Sequence, residues 1–138
     1  MTEHVKYKHS EPYSDLPTDA VLRPYLSVRI QSGGRFVDTL GLVDSGADSS
    51  MFHLDFARVL GLDLNSVAPT DTLGIGGTAS VWTFQVNLTV LRHRFPASVS
   101  FSGTAPKEFG LLGRADFLHA FRVGFDQRGH RALYQDLP

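Results

Sequence analysis

The stretch Leu42-Val43-Asp44-Ser45-Gly46-Ala47-Asp48-Ser49-Ser50 (LVDSGADSS) decides how the rest of the chain is read. Leu40 to Val43 form an apolar run, so Asp44 would stand at the end of a buried strand, against a low-dielectric wall. Gly46 permits tight backbone geometry and the close approach of a second chain or a ligand. Ser45 adds a hydroxyl donor, and the turn amides can take the carboxylate as their acceptor. Together these make a rigid mount for a carboxylate. Asp-Ser-Gly by itself is also common at turns and helix caps, so the flanking sequence has to decide between the two.

Upstream, Tyr25, Ser27 and Arg29 alternate with Leu26, Val28 and Ile30, the period of a strand. Ser32-Gly33-Gly34 supplies turn chemistry. Residues Arg23 to Val43 therefore read as a hairpin whose second strand, from Phe36, delivers Asp44. Downstream the period changes. Phe52, Phe56, Val59 and Leu60 fit one face of a helix over Phe52 to Leu60, with Gly61 as its stop. Gly74, Gly76 and Gly77 surround Ile75 in a turn-prone stretch. Val81 to Leu91 alternates again, with Val81, Phe84, Val86, Leu88 and Val90 as core contacts. Phe95 to Phe101 is a further short strand, and Leu111-Leu112-Gly113 an apolar strand end. A short helix is predicted over Arg114 to Phe121, then a last hairpin of Phe121 to Phe125 and Arg131 to Tyr134. Many short strands with Gly-rich turns and two short helices predict an all-β class, a small closed or folded-over sheet. Residues 1–21, with Pro12 and Pro17 among Ser and Asp, are expected as an extended or loosely ordered arm. Residues 22–138 are expected as one domain.

Composition limits the function classes. At 138 residues the chain suits one domain, and its length excludes an active site between two large lobes of the same chain. With 13 Lys+Arg against 14 Asp+Glu it lacks the basic surplus that non-specific nucleic-acid binding needs. It has no cysteine, which excludes disulfide scaffolds, thiolate zinc sites and cysteine nucleophiles. No apolar run is long enough for a secretory signal or a membrane span, so a cytoplasmic location is expected. The histidines, His4, His9, His53, His93, His119 and His130, are scattered and show no zinc-ligand spacing. Asp63, Asp71 and Asp116 have the setting of turn or cap residues. Trp82 is expected in the core or beside the glycine-rich turn.

LVDSGADSS resembles the active-site signature of retropepsin-type aspartic proteases, hydrophobic-hydrophobic-Asp-Thr/Ser-Gly-Ala. Three further stretches match that family in order. Gly74-Ile75-Gly76-Gly77 resembles the flap tip of the retroviral enzymes. Leu111-Leu112-Gly113-Arg114 resembles the hydrophobic-hydrophobic-Gly-Arg element that backs the catalytic loop. The lead-in RPYLSVRIQSGGRFVDTLGLVDSGADSS resembles the family's first hairpin. The likeness covers about residues 22–135, and the helix after the catalytic loop is closer in style to single-domain bacterial and cellular members than to viral ones. Ser45 stands for the commoner Thr, and Ala115 stands where viral enzymes have Asn.

The resemblance implies a retropepsin-like acid protease half-barrel, a single lobe that is mostly β with two short helices. Asp44 would be the catalytic aspartate, Ser45 the hydroxyl that braces two such loops across a dimer axis, and Gly46 the glycine whose amide points at the carboxylate. Ala47 and Asp48 would line the cleft and contact substrate backbone, and Ile75, Gly76 and Gly77 would form the flap tip. Leu112, Gly113 and Arg114 would support the site, with Arg114 pairing Asp48. The implied activity is endopeptidase cleavage of a peptide or protein, with no metal or other cofactor, no nucleic acid and no membrane as partner.

The chemistry needs two carboxylates, one ionised to take a proton from water and one protonated toward the scissile carbonyl. Two unit charges about 3 Å apart at an effective dielectric near 20 repel by roughly 5 kcal/mol, enough to hold one shared proton over a wide pH range. The chain has a single Asp-Ser/Thr-Gly, so a C2 homodimer with two Asp44 residues at its axis is expected. Asp44 with Asp48 in one chain is the weaker alternative dyad. A retropepsin-fold module for peptide binding or dimerisation, and a subunit that needs a different partner, are the rival functions.

Overall fold

A computed structural model describes residues 5–74 and 77–138. The strands are β1 (His9–Pro12), β2 (Ser14–Leu16), β3 (Asp19–Arg23), β4 (Tyr25–Ser32), β5 (Arg35–Val43), β6 (Met51–His53), β7 (Thr70–Gly74), β8 (Gly77–Val90), β9 (His93–Ser102), β10 (Gly110–Leu112), β11 (Phe121–Asp126) and β12 (Arg131–Asp136). The helices are α1 (Leu54–Val59) and α2 (Phe117–Ala120), with a single 3-10 turn at Leu64–Ser66. The class is all-β with two short helices.

The main sheet runs β4-β5-β10-β6-β9-β8-β7, and β4 also pairs with β8, which closes six of its strands into a ring. Ile30 opposite Leu88 marks that closure. Alternation along β4 sends Leu26, Val28 and Ile30 inward and leaves Ser27 and Arg29 exposed. In β8 the inward residues are Val81, Val86, Leu88 and Val90, with Phe84 only half buried. β9 alternates up to Ser98 and is then buried on both faces from Val99 to Ser102, where β6 and β8 flank it. Trp82 is half-buried and packs on the edge of the core.

Two elements differ from the sequence expectation. Phe52, expected to open a helix, is the centre of β6, and the helix starts at Leu54. Met51 pairs with Leu111 of β10 and Phe52 with Phe101 of β9, so tertiary partners override the local helical period. The His53 side chain then caps α1, its Nδ1 accepting from the Asp55 amide at 3.0 Å. The second helix is also shorter than predicted, because residues 114–116 form the turn that enters it.

Outside the ring, β1, β12 and β11 form a three-stranded sheet, and β2 pairs with β3. The segment before Arg23 thus carries three short strands. Phe117 of α2 stacks on Phe121 at 5.0 Å between centroids and meets the edge of Tyr134 at 6.3 Å, which joins the last hairpin to the ring's core. Burial pushes the Tyr134 phenol above its ordinary range. Arg92 lies in the turn between β8 and β9, while His93 packs on Phe95 and Phe121.

Candidate active site

The site is built where β10 slots between β5 and β6. It pairs parallel to β5 (Leu111 opposite Leu42) and antiparallel to β6 (Leu111 opposite Met51). Residues 44–50, which connect β5 to β6, must therefore cross over the end of β10. That crossing lifts Asp44 off the sheet and presents it at the surface of the ring.

Backbone bonds lace this loop to the chain leaving β10. The Asp44 amide donates to the Leu112 carbonyl at 3.0 Å, the Arg114 amide to Ala47 at 2.9 Å and the Ala115 amide to Asp48 at 2.8 Å. Within the loop the Gly46 amide donates to Asp44 Oδ1 at 2.8 Å, which fixes one carboxylate oxygen. The Ala47 amide closes the turn onto the Asp44 carbonyl. Asp44 is partly exposed and Ser45 and Gly46 are exposed.

Leu112 is fully buried beneath the loop. Gly113 passes so close to Ser49 that a Cβ would lie 2.5 Å from its carbonyl carbon. The Arg114 guanidinium donates to Asp48 Oδ1 at 2.7 Å, an exposed pair whose carboxylate side chain is 90% accessible. Ala115 contributes its amide alone to the lacing, and its neighbour Asp116 turns its carboxylate inward.

A cleft of about 640 Å³ opens over the loop. Asp44, Gly46, Ala47 and Asp48 form its floor, with Met51 and Leu111 beside them. The opposite wall is the β7–β8 hairpin through Thr72, Leu73, Gly77, Thr78 and Ala79. The hairpin is paired from Thr70 opposite Val81 down to Gly74 opposite Gly77. Ile75 and Gly76, named above as the rest of the flap tip, lie outside the described residues. Leu73 is 84% exposed, an apolar side chain presented to the cleft.

Two groups of residues at this site carry no local sign of their role. The cleft wall of Thr72, Leu73, Thr78 and Ala79 becomes visible only once β7 and β8 are paired. Asp116 has the local sequence of a cap, and it does cap α2, accepting from the Phe117 amide. It also binds Ser50 from across the fold. Among the described residues no group of three His, Asp or Glu side chains gathers into a metal site.

A family model described as aspartyl protease matches residues 26–115, from the start of β4 through the β10 turn. The chain belongs to this aspartyl protease family. The family lies in the retropepsin-like clan, and its function is of the protease type. The matched span holds the loop, the hairpin opposite it and the β10 support, which are the parts that form the cleft. A search of curated proteins finds no match. No helix among the described residues is long and apolar enough to cross a membrane.

Proposed function

We propose that the chain is an aspartic endopeptidase that works as a C2 homodimer, with Asp44 of each protomer forming the catalytic dyad. The observation that carries the reading is one carboxylate, held by the Gly46 amide on a laced loop at the floor of an open cleft. One such loop per chain is half of an acid–base pair, and a two-fold axis through the loop supplies the other half. In the dimer one Asp44 takes a proton from the attacking water while the other, protonated, donates to the scissile carbonyl. Ser45, exposed beside Asp44, braces the partner loop across the axis. Ala47, Asp48 and Gly77 contact the peptide backbone, and the β7–β8 hairpin closes over it as a flap. Leu112, Gly113 and Arg114 hold the loop from beneath. The work is cytoplasmic and needs no metal or other cofactor.

The test is a pooled peptide-library digest across a range of pH, with and without a statine inhibitor, on the wild type and Asp44→Asn. Cleavage by the wild type that the inhibitor blocks is expected. The asparagine variant should lose at least about a thousandfold in rate while sedimenting as the same folded dimer. Retained turnover in that variant would move the chemistry elsewhere. A wild type that binds the peptides without cutting them would favour the binding-module reading.

A further inference from the structure

Behind the Asp44 loop lies a buried polar cluster that the chemistry above does not use. Ser50 is fully buried and Asp116 is 7% exposed. Asp116 Oδ2 accepts from the Ser50 amide at 3.0 Å. Its Oδ1 accepts from the Ser50 hydroxyl and from the Phe117 amide, each at 2.5 Å. The Ser50 hydroxyl in turn accepts from the Gly113 amide at 3.0 Å. Bonding chemistry fixes the sense of this network. Amides can only donate, and the hydroxyl, having accepted from Gly113, has its own proton left for Asp116.

The network closes the far end of the same loop that begins at Asp44. Of the links between residues 44–50 and 112–117, the three backbone pairs can be made by almost any sequence. Three links depend on side chains: Asp48 with Arg114, Ser50 with Asp116, and the Gly113 amide with the Ser50 hydroxyl. Asp48 with Arg114 is open to solvent, where ion pairs contribute little. Ser50 with Asp116 is buried, where a hydrogen bond is strengthened and an orphaned partner is costly. Gly113 permits the close approach of the loop to β10, and the buried side-chain bonds that hold it there are those of Ser50 and Asp116. β10 also carries the Leu112 carbonyl that anchors the Asp44 amide.

We propose that Ser50 and Asp116 are positioning residues for Asp44, a buried latch that sets where its carboxylate stands relative to its symmetry mate. This rests on the dimeric protease reading. Neither residue lines the cleft above the loop. Their loss should therefore slow the chemical step and leave peptide binding in place.

The experiment compares Ser50→Ala, Ser50→Thr and Asp116→Asn in the full chain, using a peptide that the wild type cleaves. Ser50→Ala leaves the Gly113 amide without its acceptor, and Ser50→Thr keeps the hydroxyl. Asp116→Asn keeps size and shape but cannot accept at both oxygens. In Ser50→Ala, kcat should fall about 100-fold, the scale of a misplaced catalytic group, with KM within about twofold and the dimer intact. Ser50→Thr should recover most of the loss, and Asp116→Asn should lose kcat as Ser50→Ala does. Wild-type kcat in Ser50→Ala, or a loss that only follows dissociation of the dimer and that Thr does not rescue, overturns the latch. Asp116→Asn decides the matter if Ser50→Ala does not fold. If the wild type cleaves nothing, the protease reading fails by itself, and amide hydrogen exchange then tests the latch. Exchange at Asp44 and Gly46 should quicken about tenfold in Ser50→Ala, and unchanged exchange at both overturns the proposal.

Discussion

A side chain on Gly113 has nowhere to go. Its Cβ would lie 2.5 Å from the carbonyl carbon and 2.6 Å from the carbonyl oxygen of Ser49, both backbone atoms that cannot rotate away. Gly113→Ala must push the loop and β10 apart, at a cost of about 1–3 kcal/mol by the measure of overpacked sites. Gly103, where an added Cβ meets nothing within 4 Å, is the control, and Gly103→Ala should keep wild-type stability and activity. Urea unfolding of the two variants checks this, and a Gly113→Ala protein as stable as the wild type would mean that the loop can lift freely. The places of Gly113 and Asp44 at the ends of apolar strands were legible locally, and the roles proposed for them came from the resemblance of the flanking motifs. The Ser50–Asp116 latch was not legible. Its partners are 66 residues apart, so the sequence shows only the local half of the role of Asp116, as a cap. Leu73 is a similar case, since an exposed apolar residue in a short strand gains meaning only from the cleft it faces.

Strand periodicity gave most elements correctly, because alternation is written in each strand separately. It failed where the partner decides. Phe52 opens the helical spacing of Phe52 to Leu60, yet residues 51–53 are a strand because β10 and β9 bond to them on both sides. A closed or folded-over sheet was expected, but that β4 and β8 are the pair that closes it was invisible, since both strands read as ordinary half-buried ones. The N-terminal segment makes the same point and can be tested. β1 pairs with β12 over His9 to Pro12, the Tyr13 amide donates to the His130 carbonyl at 2.7 Å, and the Tyr13 side chain is buried. Deleting residues 1–8 leaves β1 and Tyr13 in place and is the reference. Deleting residues 1–13 should cost about 3 kcal/mol, the worth of one large buried aromatic side chain with its contacts. Thermal unfolding of the two truncations separates an integral strand from a detachable arm, and equal midpoints would favour the detachable arm.

At the scale of the whole molecule, one ring of strands offers one laced aspartate to one cleft, and the proposed chemistry needs two. The choice between a symmetric dimer and an Asp44–Asp48 dyad in one chain can be made by subunit mixing. The Asp48 side chain is committed to Arg114 and exposed to solvent, whereas Asp44 is held by Gly46 at the floor of the cleft. The wild type equilibrated with a ninefold excess of Asp44→Asn pairs at random, so a wild-type chain meets another wild-type chain about one time in ten. Such mixed dimers carry one ionisable Asp44, which cannot be both the base for water and the acid for the carbonyl. Activity per wild-type chain should then fall to about one tenth of its value in the unmixed protein, provided the subunits have exchanged before the assay. Diluting the wild type alone below its dimer dissociation constant should lower its specific activity in the same way, because it removes the same partner. If activity per wild-type chain is unchanged by the excess variant and by dilution, a single protomer holds the whole site, and the second carboxylate must be sought within one chain.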